Sequence, residues 1–495
     1  MNNPTRPTGR NMPQGNEQYV NRLPTPDPEF ERYANEFMES VEQLPTYRPT
    51  VGCVVPAYNE EESIAAVLDC LLAQTRLPDV IHVVINNTSD ATVEYASHYA
   101  GVHTKPGENG GEEQFTEIFV HDIGENPDKK VGALNYGFQL VEGMDYLLGV
   151  DGDTTADPHA VESLVSEISS DDRIGGISAI YSIDDSSIKG LIPQFLIAGQ
   201  RAQFTAFNMQ NMLKGRNMAV LGGQFSIFST QALREVMEDT HQRTPWVKDS
   251  EVEDSLLSLQ IKSAGYLTKI SAHARANVGG MTTLRGLDGQ QVKWNFGAVE
   301  LMWPGQRGDT KGQPFHPNLR LRWFENLSMV TNAMTRVMFL MLAITSIYIS
   351  AFVFSPIWLI PPLVATLLNT RIAHSMKQAN KRDYLFALLV FPAEIYMFIR
   401  IGHFLRAWTK FFSHQQTDNW AAQAKAERGA GYAYLIPLFV IVALLATTMA
   451  IWLQIPIDVQ SSILASCWPV LGIITVIQTA WMFTKLFKRY KGFKV

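Results

Sequence analysis

Asp151-Gly152-Asp153 sets two carboxylates in one short turn, and hard oxygen ligands of this kind suit Mg²⁺ or Mn²⁺. Mg²⁺ typically takes one or two carboxylates and completes its shell with substrate phosphate oxygens, so an ion held here would neutralise charge on a departing diphosphate. The same tripeptide also reads as an acidic, solvated turn. Val252-Glu253-Asp254 offers a carboxylate able to accept the proton of an attacking hydroxyl. Its other reading is a helix N-terminus, whose dipole favours the acids Asp249, Glu251, Glu253 and Asp254. Gln290-Gln291-Val292-Lys293-Trp294 joins an amide and a cation suited to diphosphate oxygens with a Trp face on which a sugar ring can stack. Spacing alone fits an interfacial helix anchored by its Trp equally well.

The elements that must position these groups are legible around the first. Val51 to Pro56 reads as a buried strand, Glu61 to Gln74 as an amphipathic helix and Val80 to Ile85 as a second buried strand, which together make a βαβ unit. A helix from Lys130 to Val141 and a strand from Tyr146 to Val150 repeat the rhythm. Alternation of this kind predicts an open, mostly parallel sheet that binds ligands beyond the carboxyl ends of its strands. Tyr58-Asn59-Glu60 and Asp151-Gly152-Asp153 both fall at such ends.

A chain of 495 residues exceeds what one core usually serves, and its composition is uneven. A polar first two thirds precedes a last third with long apolar runs, the pattern of a soluble domain fused to membrane helices. Val337 to Phe354 with Ile357 to Thr370, and Tyr434 to Leu453 with Ile463 to Thr484, read as two hairpins. Tyr384 to Phe412 is apolar but interrupted by Glu394, Arg400, His403, Arg406 and Lys410. If it lies flat, Arg371, Lys377, Lys381, Arg382, Lys425 and Arg428 share the cytosolic side with Lys485, Lys488, Arg489, Lys491 and Lys494. The expected organisation is therefore a tail and N-terminal helix over 1–48, a catalytic domain with interfacial segments over 49–330, and about four crossings plus one interfacial helix over 331–495. Within the first region, 1–27 reads as a disordered tail, and Phe30, Tyr33, Phe37 and Val41 share one face of a helix from Glu29 to Leu44.

No apolar stretch opens the sequence, which predicts neither a signal peptide nor an N-terminal anchor and a catalytic part in the cytosol. Cys53, Cys70 and Cys467 form neither a metal spacing nor a disulfide framework, which suits a reducing compartment. His273, His316 and His403 share no ligand spacing. The C-terminal basic cluster fits a cytosolic flank meeting anionic headgroups, and nothing else supports nucleic-acid binding.

VVPAYNEE (Val54 to Glu61), KKVGALNYG (Lys129 to Gly137), DGD (Asp151 to Asp153), VED (Val252 to Asp254) and QQVKW (Gln290 to Trp294), in this order and followed by membrane helices, resemble family 2 glycosyltransferases. The likeness is to the membrane-integrated branch containing cellulose, chitin and hyaluronan synthases, and runs over roughly residues 50–484. It implies an α/β GT-A (Rossmann-like) cytosolic domain followed by an α-helical transmembrane domain, in a multi-pass protein of the cell membrane. It also implies inverting, processive transfer from a UDP-sugar to a β-linked polysaccharide, with translocation of the product. By motif match Tyr58, Glu60, Asn86, Lys130, Asp151, Gln290 and Lys293 would bind the nucleotide-sugar, and Asp151 and Asp153 the metal, Mg²⁺ or Mn²⁺. Asp254 would be the general base, Trp294 the floor under the acceptor sugar, and the loop LGGQFSIF (Leu221 to Phe228), with Gly223 and Gln224, a further acceptor contact.

The chain departs from that pattern in three places. Ile85-Asn86-Asn87-Thr88 stands where many relatives have Asp-Asp-Gly-Ser, so an amide would meet the nucleobase. Lys293 replaces the usual Arg, keeping the charge and losing the bidentate fork. The N-terminal membrane helices of many relatives have no counterpart, so a channel would need fewer helices or a homo-oligomer. Transfer of a single sugar to a lipid or short acceptor is the alternative within the enzyme class. A transporter or receptor that senses nucleotide-sugars is disfavoured, because all three acidic positions needed for turnover are present.

Overall fold

The computed structural model describes residues 32, 47–107, 112–413, 419–488 and 494–495. The chain divides into two compact units, residues 1–48 and 49–495. In the first, only Arg32, Tyr47 and Arg48 are described, so the expected tail over 1–27 and helix from Glu29 to Leu44 lie outside the described residues.

In the second unit, β1 (Val51–Ala57) and β2 (Val80–Ile85) are buried along their whole length. They are apolar runs without alternation because the sheet is covered on both faces. Val51, Cys53, Val55 and Ala57 pack into one core with the Ile64–Leu72 helix, while Val54 faces a second core with Val131, Leu134 and Phe138 of the Lys129–Val141 helix. The first helix is shorter than the Glu61 to Gln74 periodicity predicts: Glu60 O accepts from both Ser63 and Ile64, so the chain turns tightly before the regular helix begins.

With β3 (Gly101–Lys105), β4 (Gln114–Asp122), β5 (Tyr146–Val150), β6 (Thr155–Ala156), β7 (Ile174–Ser182), β8 (Phe225–Ser229) and β9 (Leu267–Asn277), the described strands form one sheet ordered β3-β4-β2-β1-β5-β8-β7-β9-β6. β4, β2, β1 and β5 are parallel, and β8 inserts antiparallel between β5 and β7. The chain builds outward from β1 to β2 and β4, then returns to lay β5 on the other side of β1, with Val51 opposite Tyr146. That reversal opens a crevice between the carboxyl ends of β1 and β5, the usual ligand position in a doubly wound sheet.

Among the described residues three helical stretches are long and apolar enough to cross a membrane: Pro317–Tyr348, Ala433–Trp452 and Ile457–Leu486. A fourth candidate is the pair Lys381–Leu388 and Val390–Phe412, which meet at a bend of 84°. Differences from the hydropathy reading are local. The first helix starts well before Val337 and stops at Tyr348, where Ser350 adopts a positive φ of 55°. The returning arm is a single turn, Pro356–Leu359, followed by a 16-residue helix, Ile360–Ser375. The Tyr384 to Phe412 segment is broken at Leu389 rather than continuous.

Candidate active site

β5 ends at Val150 and runs straight into Asp151, and its continuation carries Asp153 to the mouth of the crevice, with Asp153 Oδ2 against Gly279: a Cβ on that glycine would lie 2.5 Å from it. Lys130, in the first turn of the Lys129–Val141 helix, reaches up so that its Nζ lies 2.6 Å from Asp151 Oδ1. At the end of β1, Glu60 Oε2 accepts from Ser63 Oγ (2.5 Å) and its amide donates to Thr92 Oγ1 (2.7 Å). Burial first, offset by the Ser63 bond and reinforced by Asp153 and Asp151, pushes the Glu60 carboxyl up to about 8. Asn86 is buried at the end of β2, where Asn87 donates to its Oδ1 and ties the turn to the Asn126 carbonyl. Tyr58 is exposed on the crevice rim, and its hydroxyl accepts from Arg428, 3.0 Å away.

Asp254 arrives from the far half of the sheet, in the first turn of the Glu253–Ser263 helix. It is a helix-start acid, and the same turn brings it beside Gly223 and toward Lys130 and Asp151. Its Oδ2 accepts from the Gly223 amide (2.8 Å), while its Oδ1 is sealed from solvent and receives no hydrogen bond among the described residues. Burial and the adjacent Glu253 carboxylate push it up to about 7, with Lys130 pulling down, Asp151 adding, and the Gly223 bond pulling down.

The loop Leu221–Gln224 is what joins these groups. Leu221 N–H donates to Ser258 Oγ (2.8 Å), one turn after Asp254 on the same helix, and Asp151 N–H donates to Gln224 O (3.0 Å). A side chain at 223 has no room: a Cβ there would lie 2.8 Å from Asp254 Oδ2 and 3.0 Å from Lys130 Nζ. Ser258 carries no distinguishing signal in the sequence, where it is one more mid-helix Ser, and the motif that contains Lys130 does not tell that its ammonium meets Asp151.

Gln290, Lys293 and Trp294 lie on one side of the Leu284–Met302 helix, whose start is capped by Thr283 accepting from Gly286 N–H. Gly297 brings this helix onto the Val252-Glu253-Asp254 turn, because a Cβ there would sit 2.6 Å from Val252 Cγ1. Gly297→Val is accordingly expected to cost about 1–3 kcal/mol by overpacking and to lower turnover with it, read by thermal unfolding alongside a transfer assay. Lys293 is buried among Glu253, Lys130, Glu251 and Asp254, and desolvation lowers it to about 8 against the pull of those acids. Trp294 is half-buried, edge-on to Phe204 at 6.5 Å between ring centroids.

Residues 53–237 match the family described as Glycosyl transferase family 2, and residues 146–370 match Glycosyl transferase family group 2. The chain is a family 2 glycosyltransferase. Its α/β domain is a mixed, Rossmann-like sheet, with Asp151 and Asp153 just after β5, where the strand order reverses. Poly-beta-1,6-N-acetyl-D-glucosamine synthase from Staphylococcus aureus (strain COL) is 26% identical over 250 residues, 50% of this chain and 54% of that protein. The same synthase from strain MRSA252 matches equally. This glycosyltransferase thus spans about half the length of the curated relatives it matches, and is related to a polysaccharide synthase. Among solved structures, the mannosyltransferase PcManGT from Pyrobaculum calidifontis in complex with GDP-Man and Mn²⁺ aligns with a TM-score of 0.37 and 15% identity, covering 91% of this chain and 95% of that one. S. aureus TarS in complex with UDP aligns with a TM-score of 0.35 and 13% identity, covering 77% and 93%.

Proposed function

We propose that this glycosyltransferase transfers a sugar from a UDP-sugar, with inversion, to the end of a β-linked polysaccharide. One observation carries the reading: a single loop, Leu221–Gln224, holds the Asp151 strand end and the Asp254 carboxylate together, with Lys130 between them and the buried Asp254 Oδ1 receiving no hydrogen bond among the described residues. Asp254 Oδ1 accepts the acceptor's hydroxyl proton as that oxygen bonds to the anomeric carbon. The bond from that carbon to the diphosphate breaks, and Lys130 and Lys293 hold the UDP that leaves. Tyr58, Glu60 and Asn86 line the nucleotide end, Gln290 the diphosphate, and Gly223, Gln224 and Trp294 the acceptor end.

Asp151 and Asp153 fit a divalent cation. Among the described residues no group of three or more His, Cys, Asp and Glu is placed to hold a metal alone, so the ion's remaining ligands must come from the donor's phosphates and water, as Mg²⁺ and Mn²⁺ accept. The Lys130 ammonium on Asp151 marks the same demand for positive charge. When bound, the ion supplies Lewis-acid stabilisation of the leaving diphosphate.

Contacts at the ends of the hairpins support four crossings in a multi-pass membrane protein with the sheet domain in the cytosol. The first hairpin begins beside His316, 3.1 Å from Ser263 Oγ, and returns to Lys377 on Asp157 and to Asp383, which accepts both arms of Arg201. A chain that leaves the sheet domain and comes back to it crosses an even number of times. Pro356–Leu359 and Ile360–Ser375 together make the return, close to the ~20 residues a span needs. The second hairpin leaves after Arg428 on Tyr58 and returns where Arg371 donates to Lys485 O and Leu486 O. The bent pair lies in the interface, one arm held by Arg201 on Asp383 and the other by Arg406 on Asp288.

Purified full-length protein incubated with each radiolabelled UDP-sugar and Mg²⁺ or Mn²⁺ is expected to yield a long polymer from one donor. A single addition would favour the lipid or short-acceptor reading, and no transfer from any UDP-sugar would sink the proposal. The pH dependence is a second expected result. Asp254 works ionised and sits at about 7, so kcat/KM rises with pH through about 7; Lys293 works protonated and sits at about 8, so kcat/KM falls above it. An acid limb near about 4, the ordinary carboxylate range, would contradict the assignment of Asp254.

A further inference from the structure

The proposed base is held by one peptide unit, and that unit is itself gripped from behind. The Gly223 N–H on Asp254 and the Gly222 C=O belong to the same planar amide, whose donor and acceptor point in opposite directions. On the carbonyl side, Tyr181 Oη donates to Gly222 O at 2.9 Å and Ser226 Oγ donates to the same oxygen. Tyr181 in turn accepts from Ser178 Oγ at 2.6 Å, and the hydroxyl is buried between β7 and the Leu221–Phe225 segment. A Cβ on Gly222 would lie 2.8 Å from Tyr181 Cε2, so ring and loop are in close contact. Hydrogen bonds in such a chain polarise one another, and donation to the carbonyl makes the opposite N–H a better donor.

We infer that Tyr181 and Ser226 are positioning residues for the reaction, acting on Asp254 through the Gly222–Gly223 peptide. The inference rests on Asp254 being the base. Without the two hydroxyls the peptide is free to rotate, Asp254 Oδ2 loses its fixed partner, and the Oδ1 that faces the acceptor loses its aim. Among the described residues the two hydroxyls bond to Ser178, Gly222 and each other and not to Tyr58, Glu60 or Asn86, so the effect falls on turnover and not on UDP-sugar affinity.

The test uses full-length protein and steady-state transfer from its UDP-sugar. Tyr181→Phe keeps the ring and removes the hydroxyl; kcat is expected to fall about tenfold or more, the lower end of what is lost when a group orienting a functional ligand is removed, with donor KM within about twofold. The acid limb of kcat/KM is expected to move to higher pH, because the Gly223 bond favours the ionised carboxyl. The other charged groups facing Asp254 stay in place in this variant: Glu253 on its own helix, Lys130, Asp151 and Lys293. Ser226→Ala should shift both readouts the same way, and it carries the test if Tyr181→Phe does not fold. Wild-type kcat and pH limb in the folded variants would overturn the inference, as would a loss confined to donor KM. Asp254→Asn, measured in parallel, separates the two failures: if it retains full turnover the base assignment itself is wrong, whereas if it is inactive and the hydroxyl variants behave as wild type only the peptide clamp is wrong.

Discussion

Asp254→Asn is expected to lower turnover by about 10²–10⁴-fold, the range associated with a general base, while UDP-sugar affinity stays within about twofold. The substitution is conservative for the surroundings. An asparagine oxygen can still accept the Gly223 N–H, so the Leu221–Gln224 loop keeps its anchor, and Lys130 keeps its partner in Asp151. What disappears is the lone pair on a carboxylate whose Oδ1 is sealed from solvent and, among the described residues, receives no hydrogen bond. Stability should hold or rise, because burial already disfavours the charge at this position. Calorimetric donor binding, thermal unfolding and single-turnover transfer read the three quantities separately. Full transfer by a folded, donor-binding Asp254→Asn variant would remove this residue from the chemistry.

The half of the site built by the first βαβ unit was legible because its physics is local. Val51–Ala57 and Val80–Ile85 are apolar runs buried on both faces, and Tyr146–Val150 stops abruptly at an acid. Periodicity and punctuation suffice for that, and the reversal between β1 and β5 then places Asp151 in the crevice. The remainder depends on contacts between distant residues. Nothing local separates Asp254 from any other helix-start acid; its place is fixed by Gly223, 31 positions earlier, and by Gly297 packing on Val252. Tyr181 reads as one more aromatic in a buried strand, since its hydroxyl matters only through the peptide it holds. β7, β8 and β9 likewise left no signal strong enough to order, because β8 runs against its neighbours and β7 and β9 pair with shifts in register. The break at Leu389 has the same origin: the arms of the bent pair are held by Asp383 on Arg201 and Arg406 on Asp288, partners far away in sequence.

Removing the carboxylates at the β5 end should produce the other large loss, and one of a different kind. Asp151→Asn and Asp153→Asn are each expected to lower kcat/KM by about 10²–10⁴-fold, the several kcal/mol that a Lewis acid contributes at a leaving diphosphate. Unlike Asp254→Asn, they should weaken UDP binding measured in the presence of Mn²⁺ and make what remains insensitive to the ion. The two positions should not be equivalent. Asp151 also pairs with Lys130 and, through its amide, with Gln224, so changing it frees the ammonium to move toward Asp254 and disturbs both halves of the crevice. Asp153 lies at the mouth against Gly279, raised by burial of its tip and by Asp151, and its loss should be felt only through the cation. Titrating UDP binding with Mn²⁺ distinguishes them. In Asp153→Asn the metal-free affinity should match wild type, and in Asp151→Asn it should rise, because the Lys130 charge is no longer neutralised and a diphosphate can take it. Equal metal-stimulated binding in wild type and both variants would show that this turn is the solvated acidic loop its three residues alone also describe.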